Sequence, residues 1–273
     1  MNKNLDNKVA IITGGSKGIG REIARLFGHF GYRVVISGRD KAAMEQTAAR
    51  FKEENIDVLP VAGDVTVLED CKNLITQTID KYGRLDVLIN NAGKSMHGLF
   101  ADTDLSLFKT IMDINYCGSV TMTKLALPHL IKSSGSVVFI SSVAGLKGLP
   151  FAAPYSASKA ALKSFHESLR AELGSKVHSG ILYAGYTQND PDKVKYNASG
   201  ELVPSTREKF AATQVDVAKA ALRLVRGRKR QVVMTLTGKL AYFAYTVLPG
   251  LSEKFLIWYA RKTGMHAGDD TCK

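Results

Sequence analysis

Cysteine is scarce in this chain of 273 residues: there are three, Cys71, Cys117 and Cys272. They are far apart, odd in number and form no CxxC pair, which argues against a disulfide framework and a cysteine-built metal site. No metal is expected, and the thiols suit a reducing compartment. Proline is sparse at 7 residues, and the 24 glycines are spread along the chain rather than gathered in a linker. With no internal repeat or low-complexity tract, the sequence reads as one main domain. Long apolar runs are missing as well. Nothing reaches the roughly 18 residues of a membrane span, and Met1–Lys8 lacks the apolar centre of a secretory leader, so the expected location is cytoplasmic. Acidic residues are few, 25 against 37 Lys and Arg, leaving a formal charge of +12. Such an excess suits nucleic acid, an anionic membrane surface or a phosphorylated ligand. The cations concentrate after Arg207, at Arg223, Arg226, Arg228, Lys229 and Arg230, with no nucleic-acid motif beside them. No nucleic-acid partner is expected.

What the chain does have is alternation. Short β-branched runs at Val9–Thr13, Arg33–Ser37, Val58–Val61, Val87–Asn90, Ser136–Ser141 and Val177–Tyr183 predict strands. Amphipathic stretches at Ile19–Phe30, Ala42–Glu54, Leu68–Tyr82, Leu105–Ile131 and Pro154–Gly174 predict the helices between them. The strands are nearly continuous apolar runs, as when helices cover both faces of a parallel sheet. A last helix, Val215–Val225, and a strand, Gln231–Leu236, complete a doubly wound, seven-stranded α/β fold over residues 1–237. Residues 238–273 form a C-terminal extension.

Between the first strand and the first helix lies Thr13-Gly14-Gly15-Ser16-Lys17-Gly18-Ile19-Gly20. Gly14 permits a sharp turn, Gly18 lets the backbone approach a pyrophosphate, and Gly20 allows helix and strand to pack closely. The free N–H groups and positive dipole end of the helix then face phosphate. The strand-before, helix-after context makes this the dinucleotide fingerprint of a Rossmann fold. A carboxylate ending the second strand would hold both ribose hydroxyls. The chain instead has Gly38 and Arg39 there, with Lys17 in the glycine loop, so two cations converge where an adenosine 2′-phosphate would sit. The expected cofactor is NADP(H). Asp40, the nearby carboxylate, is expected to cap the next helix.

Further landmarks follow in order: Asp64-Val65, Asn90-Asn91-Ala92-Gly93, Asn115, Ser142, and Tyr155-Ser-Ala-Ser-Lys159. With the glycine loop, this series resembles the short-chain dehydrogenase/reductase family over nearly the whole chain. Tyr155 and Lys159 are one helical turn apart behind Pro154 and share a face. A phenol's ordinary pKa near 10 is too high for proton exchange at neutral pH, and a neighbouring ammonium favours the phenolate. Tyr155 is thus expected to give its proton to a carbonyl oxygen as hydride arrives. Ser142 would hydrogen-bond that oxygen where charge develops. Ser141 is the neighbouring alternative; the family's spacing of thirteen from serine to tyrosine selects Ser142. The resemblance implies that Lys159 holds the nicotinamide ribose and Asn115 anchors a water linking Lys159 to solvent. It also implies adenine contacts from Asp64 and Val65, and ribose and pyrophosphate contacts from Asn91, Ala92 and Gly93, with Asn91 also tying adjacent strands. Ser16, Ile19 and Gly185 complete the cofactor set by position. After the sixth strand the family has Pro-Gly and then threonine, whereas this chain has Ala184-Gly185-Tyr186-Thr187-Gln188-Asn189. The proline is absent, Asn189 stands at the later threonine position, and Thr187 is the candidate for that contact.

Residues 186–213 form a long polar segment placed as a lid over a substrate. The extension carries Leu240-Ala-Tyr-Phe-Ala-Tyr-Thr-Val-Leu-Pro-Gly-Leu and Phe255-Leu-Ile-Trp-Tyr, flanked by Lys239, Lys254, Arg261 and Lys262. Packing on its own core or on a second subunit is the plainer expectation. Peripheral membrane contact through residues 240–262 is the other. The tail resembles that of family members acting on steroids, long-chain ketones or ketosphingoid bases, and the family resemblance implies a homodimer or homotetramer. A hydrophobic carbonyl substrate is expected, with Met96, Leu99, Phe100, Leu146 and Phe151 around it.

Overall fold

The five residues of β1 (Val9–Thr13) are buried on both sides, and their alternation shows what covers them. Ala10 and Ile12 enter one apolar cluster, while Val9 and Ile11 enter another on the opposite face. The first cluster is filled by Phe27 of α1 (Gly18–His29), Phe51 of α2 (Lys41–Glu53) and Leu224 of α7 (Gln214–Arg226). Leu74 of α3 (Leu68–Tyr82), Met122 of α5 (Gly118–Ser133) and Leu162 of α6 (Ala153–Leu173) fill the second. The protein, a computed structural model describing residues 7–205 and 212–262, is thus helix, sheet, helix in three layers.

The sheet is the predicted seven-stranded one. Its remaining strands are β2 (Arg33–Gly38), β3 (Val58–Ala62), β4 (Val87–Asn90), β5 (Ser136–Ser142), β6 (His178–Ala184) and β9 (Gln231–Val233), in the order β3-β2-β1-β4-β5-β6-β9. Every pairing is parallel, with Ile12 beside both Ile36 and Ile89. The winding reverses between β1 and β4, which opens a crevice at the carboxyl ends of the strands.

Local chemistry sets the helix ends. Asp40 caps α2 by accepting the Ala43 N–H at 3.0 Å, as expected. Thr213 and Asp216 form a reciprocal capping box on α7. Three expectations are adjusted. The last strand stops at Val233 rather than Leu236, because Thr235 turns to a φ of 60° and accepts the Gly238 N–H, starting α8 (Leu236–Val247). The predicted helix Leu105–Ile131 is α4 (Leu105–Met112), a π turn (Asp113–Cys117) and α5. Finally, the polar segment 186–213 is not loop throughout. It carries an antiparallel hairpin, β7 (Val194–Tyr196) and β8 (Leu202–Pro204), while residues 206–211 lie outside the described residues.

In the extension, α8 meets the domain where Gly238 lies against Val143 and Val233. Along α8 and α9 (Pro249–Lys262) the apolar side chains face outward, with Phe243 58% and Trp258 52% exposed. Among the described residues, no helix is long and apolar enough to cross a membrane. Cys272 and residues 263–271 of the extension lie outside the described residues.

One buried polar group ties stability to pH. His166 on α6 is 1% exposed; one ring nitrogen meets the Ser179 hydroxyl at 2.8 Å, and the other, Nε2, has no hydrogen-bond partner among the described residues. Burial first, and nearby Arg170 second, push its pKa down from 6.5 to about 4. The unfolded chain therefore takes up a proton below about pH 6.5 that the native state refuses until about 4. Stability is full above this window and falls as pH drops through it, by at most about 3 kcal/mol. Urea unfolding of the parent and His166→Gln between pH 7 and 4.5 checks this. The parent is expected to lose stability more steeply, and parallel curves would remove the assignment.

Candidate active site

The crevice begins at the glycine loop. Gly14 and Gly18 hold φ values of 64° and 56°, a left-handed conformation that other residues adopt at a cost. A Cβ on Gly20 would lie 2.1 Å from the Gly14 carbonyl oxygen, so only glycine lets α1 approach its loop this closely. The loop carbonyl of Ser16 accepts the Thr47 hydroxyl at 2.8 Å, and Ile19 packs on the core beneath α1. Across the reversal point, the Thr13 hydroxyl accepts the Asn91 and Ala92 N–H groups, both at 3.0 Å. The Asn91 side chain donates in turn to the carbonyls of Thr13 at 2.9 Å and Gly14 at 3.2 Å. Asn91 therefore joins the glycine loop to the β4 turn.

The two expected cations are present, and each has carboxylate company. Lys17 lies 3.1 Å from Asp192 and 3.3 Å from Asp40, and its pKa is raised chiefly by the bond to Asp192. Asp40 is thus not directed only at its helix: one oxygen caps α2 and the other reaches Lys17. Arg39 pairs with Asp64 at 3.5 Å, while Asp64 also accepts the Thr66 N–H. Val65 packs against Gly118, where a Cβ would clash at 2.7 Å. A third cation, Lys94, follows Gly93. Its pKa is lowered by burial and then by Arg39 and Lys17.

The segment after β6 returns to the same loop. Asp190 accepts the Gly18 N–H at 2.9 Å and Gln214 at 2.8 Å, with Arg21 at 3.4 Å. Burial pushes this carboxyl up, but those donors hold it below the ordinary range. Thr187 is buried with its hydroxyl on the Gly185 carbonyl at 3.1 Å, and Asn189 gives its amide to Ser205. Gly185 lies beside Thr235.

At the other end, α6 presents Tyr155 and Lys159 on one face. The Lys159 ammonium is 5.9 Å from the Tyr155 ring centre and donates to the Ile140 carbonyl at 2.9 Å. Lys159 is 6% exposed; burial first, and Lys193 second, lower its pKa to about 8. Asn115 sits in the π turn and is 0% exposed. It accepts the Lys94 N–H at 2.8 Å and donates to the Lys94 carbonyl at 3.0 Å and to the Ser158 hydroxyl at 2.9 Å. A Cβ on Gly93 would stand 3.0 Å from Asn115 and 3.5 Å from the Lys159 nitrogen, so the β4 turn lies directly against both. The two serines diverge. Ser141 is buried and bonds the Lys159 carbonyl at 3.2 Å, whereas Ser142 is half-buried at the strand end and accepts the Ala144 N–H at 3.2 Å.

Tyr155 borders an apolar patch made by Met96, Leu107, Ile111 and Tyr196, the last from the hairpin. Of the expected wall, Met96 is there, Leu146 packs instead in the core beside α6, and Phe100 is 70% exposed against Phe108. Phe151 packs against His97 with the rings tilted and their centres 5.6 Å apart. Sequence reading passed over Asp190, Asp192, Lys193 and Lys94. The first three lie in a segment read only as a polar lid, and a lysine directly after the Asn-Asn-Ala-Gly turn was the available signal for the fourth.

The family profile described as short chain dehydrogenase matches residues 8–199. The chain is 34% identical to 11-beta-hydroxysteroid dehydrogenase 1A of Arabidopsis thaliana, over 98% of this chain and 80% of that protein. It is 33% identical to dehydrogenase/reductase SDR family member 7B of Danio rerio, over 95% of this chain and 87% of that protein. With 11-beta-hydroxysteroid dehydrogenase A of Arachis hypogaea the identity is 41% over 74% of this chain, which spans 59% of that relative's length. Among solved structures, an actinorhodin polyketide ketoreductase with NADPH superposes with a TM-score of 0.73 at 27% identity, over 84% of this chain and 95% of that one. The chain therefore belongs to the short-chain dehydrogenase family and is an oxidoreductase.

Proposed function

We propose that the protein moves a hydride between NADP(H) and the carbonyl or secondary alcohol of a hydrophobic, lipid- or steroid-like molecule, with Tyr155 as the proton donor and acceptor. The observation that carries this reading is the buried Lys159 ammonium one turn from Tyr155, at the foot of a crevice whose other end is a glycine loop with cations. The left-handed Gly14 and Gly18, the α1 N-terminus and the Lys17 and Arg39 side chains fit a dinucleotide bearing a 2′-phosphate. The relatives named as hydroxysteroid dehydrogenases and the NADPH-holding ketoreductase support the same choice.

The dihydronicotinamide supplies the hydride when bound. Ser142 orients the substrate oxygen at the end of β5 and meets the charge developing there. Tyr155 transfers the proton, and Lys159 favours the phenolate that results. Asn115 holds the β4 turn against Lys159 through Lys94 and holds α6 through Ser158. The apolar patch of Met96, Leu107, Ile111 and Tyr196 meets the body of the substrate.

The outward face of α8 and α9 is too apolar to be ordinary surface. It meets an apolar partner, either a second copy in a homo-oligomer or a membrane surface contacted peripherally, with Lys239, Lys254, Arg261 and Lys262 at its rim. Placement in the cytoplasm, peripheral to a membrane or free of it, belongs to the same reading.

NADPH consumption across steroids, long-chain ketones, sugars and polyols tests substrate and proton donor together. The apolar ketones are expected to turn over, and Tyr155→Phe to lose about 100- to 10,000-fold of that rate. A preference for sugars or polyols removes the substrate class, and a fully active variant removes Tyr155. The pH profile of kcat/KM for NADPH reports the free enzyme. Lys159 is charged below its pKa and neutral above it. Because that pKa is lowered to about 8, the reductive rate should decline with an inflection near 8 rather than above 10. Co-sedimentation with anionic liposomes and sedimentation velocity decide the tail. The full chain should pellet with vesicles or self-associate, a chain truncated before Lys239 should do neither, and an inert, monomeric full chain would discard the docking role.

A further inference from the structure

Three basic residues follow three neighbouring strands at the mouth of the crevice: Arg39 after β2, Lys17 after β1 and Lys94 after β4. The order of the strands brings the three turns that carry them side by side. Lys94 is the most firmly seated of the three. Its N–H and its carbonyl are both bound by the buried Asn115 amide, at 2.8 and 3.0 Å, so its backbone has a fixed position, and the turn that carries it touches the glycine loop where Ala92 and Asn91 lie against Gly14. Its side chain is half-buried.

The charges around it are unbalanced. Lys17 has Asp40 and Asp192, and Arg39 has Asp64. Among the described residues no carboxylate pairs with Lys94, and the charges bearing on it are Arg39 and Lys17. Lys17 and Arg39 mark the adenosine end of the crevice, Lys17 reaching the end of β2 through Asp40 at 3.3 Å. Burial and like charge both disfavour an ammonium, and they hold its pKa below the ordinary lysine range. A doubly charged phosphate among the three cations would offset that cost and gain charge-assisted hydrogen bonds.

We propose that Lys94 is a third ligand of the adenosine 2′-phosphate, and so a residue that sets selectivity for NADP(H) over NAD(H). The assignment rests on the NADP(H) reading above. It adds a determinant from the β4 turn to those after β1 and β2.

Dissociation constants of the full chain for NADPH and NADH, by calorimetry, test it without turnover. Parent, Lys94→Met and Lys94→Arg are compared, with thermal unfolding as a check on folding. Lys94→Met is expected to weaken NADPH binding about tenfold or more and to change NADH binding by less than about twofold. Lys94→Arg should keep most of the preference. An NADPH preference that survives in Lys94→Met overturns the assignment alone. Equal loss for both cofactors also overturns it, by placing Lys94 on the shared pyrophosphate or in structure only. A parent that binds NADH as tightly as NADPH overturns the cofactor reading, and this assignment with it.

Discussion

A single buried amide connects the β4 turn to the helix that carries Tyr155 and Lys159. Asn115 accepts the Lys94 N–H, donates to the Lys94 carbonyl and reaches the Ser158 hydroxyl, which itself donates to the Tyr155 carbonyl at 2.7 Å. The β4 turn and the helix carrying Tyr155 and Lys159 are thus held by one side chain with 0% exposure. A buried donor or acceptor left without a partner costs about 1–3 kcal/mol, so each link penalises any alternative placement of the turn. The extra backbone residue of the π turn brings Asn115 into this position, a frequent use of such turns at functional sites. Gly93 completes the constraint, since a side chain there would press on Asn115 and the Lys159 ammonium.

The segment after β6 spans both ends of the same crevice. Asp190 takes the Gly18 N–H and Asp192 meets Lys17, while the neighbouring Lys193 bears on Lys159 and the hairpin's Tyr196 lies beside Tyr155. Any anion that uses the Gly18 N–H competes with Asp190, and any anion that takes Lys17 competes with Asp192 and Asp40. Differential contacts of this kind are what a lid needs in order to respond to a cofactor.

The fold was legible because its signals are local and repeated. Nearly unbroken apolar strands require cover on both faces, and the expected seven-stranded parallel sheet follows. The glycine loop was legible for a steric reason: Gly14, Gly18 and Gly20 each stand where another residue would be strained or would clash. What escaped was pairing at a distance. The π turn leaves no mark in the periodicity of Leu105–Ile131, because it inserts within a helix that continues on either side. Lys17 and Arg39 were visible as cations, but Asp192 lies 175 residues beyond Lys17, and only the folded chain brings them together. Nor does spacing distinguish Leu146, which packs in the core, from Met96, which lines the patch beside Tyr155.

Electrostatics links these parts. Lys17, Arg39, Lys94, Lys159 and Lys193 line one crevice, and two of them, Lys94 and Lys159, have pKa values lowered by burial and by other cations. A crevice of one sign focuses its field and draws anions to it. The same field makes the ammonium of Lys159 easier to lose. An anionic cofactor acts on both effects with one sign: its phosphates are attracted, and their charge favours the protonated lysines. On the function proposed above, in which the phenolate of Tyr155 depends on a charged Lys159, a bound dinucleotide would also sustain the charge on which proton transfer relies. On that reading the cationic crevice is at once a binding feature and a support for proton transfer.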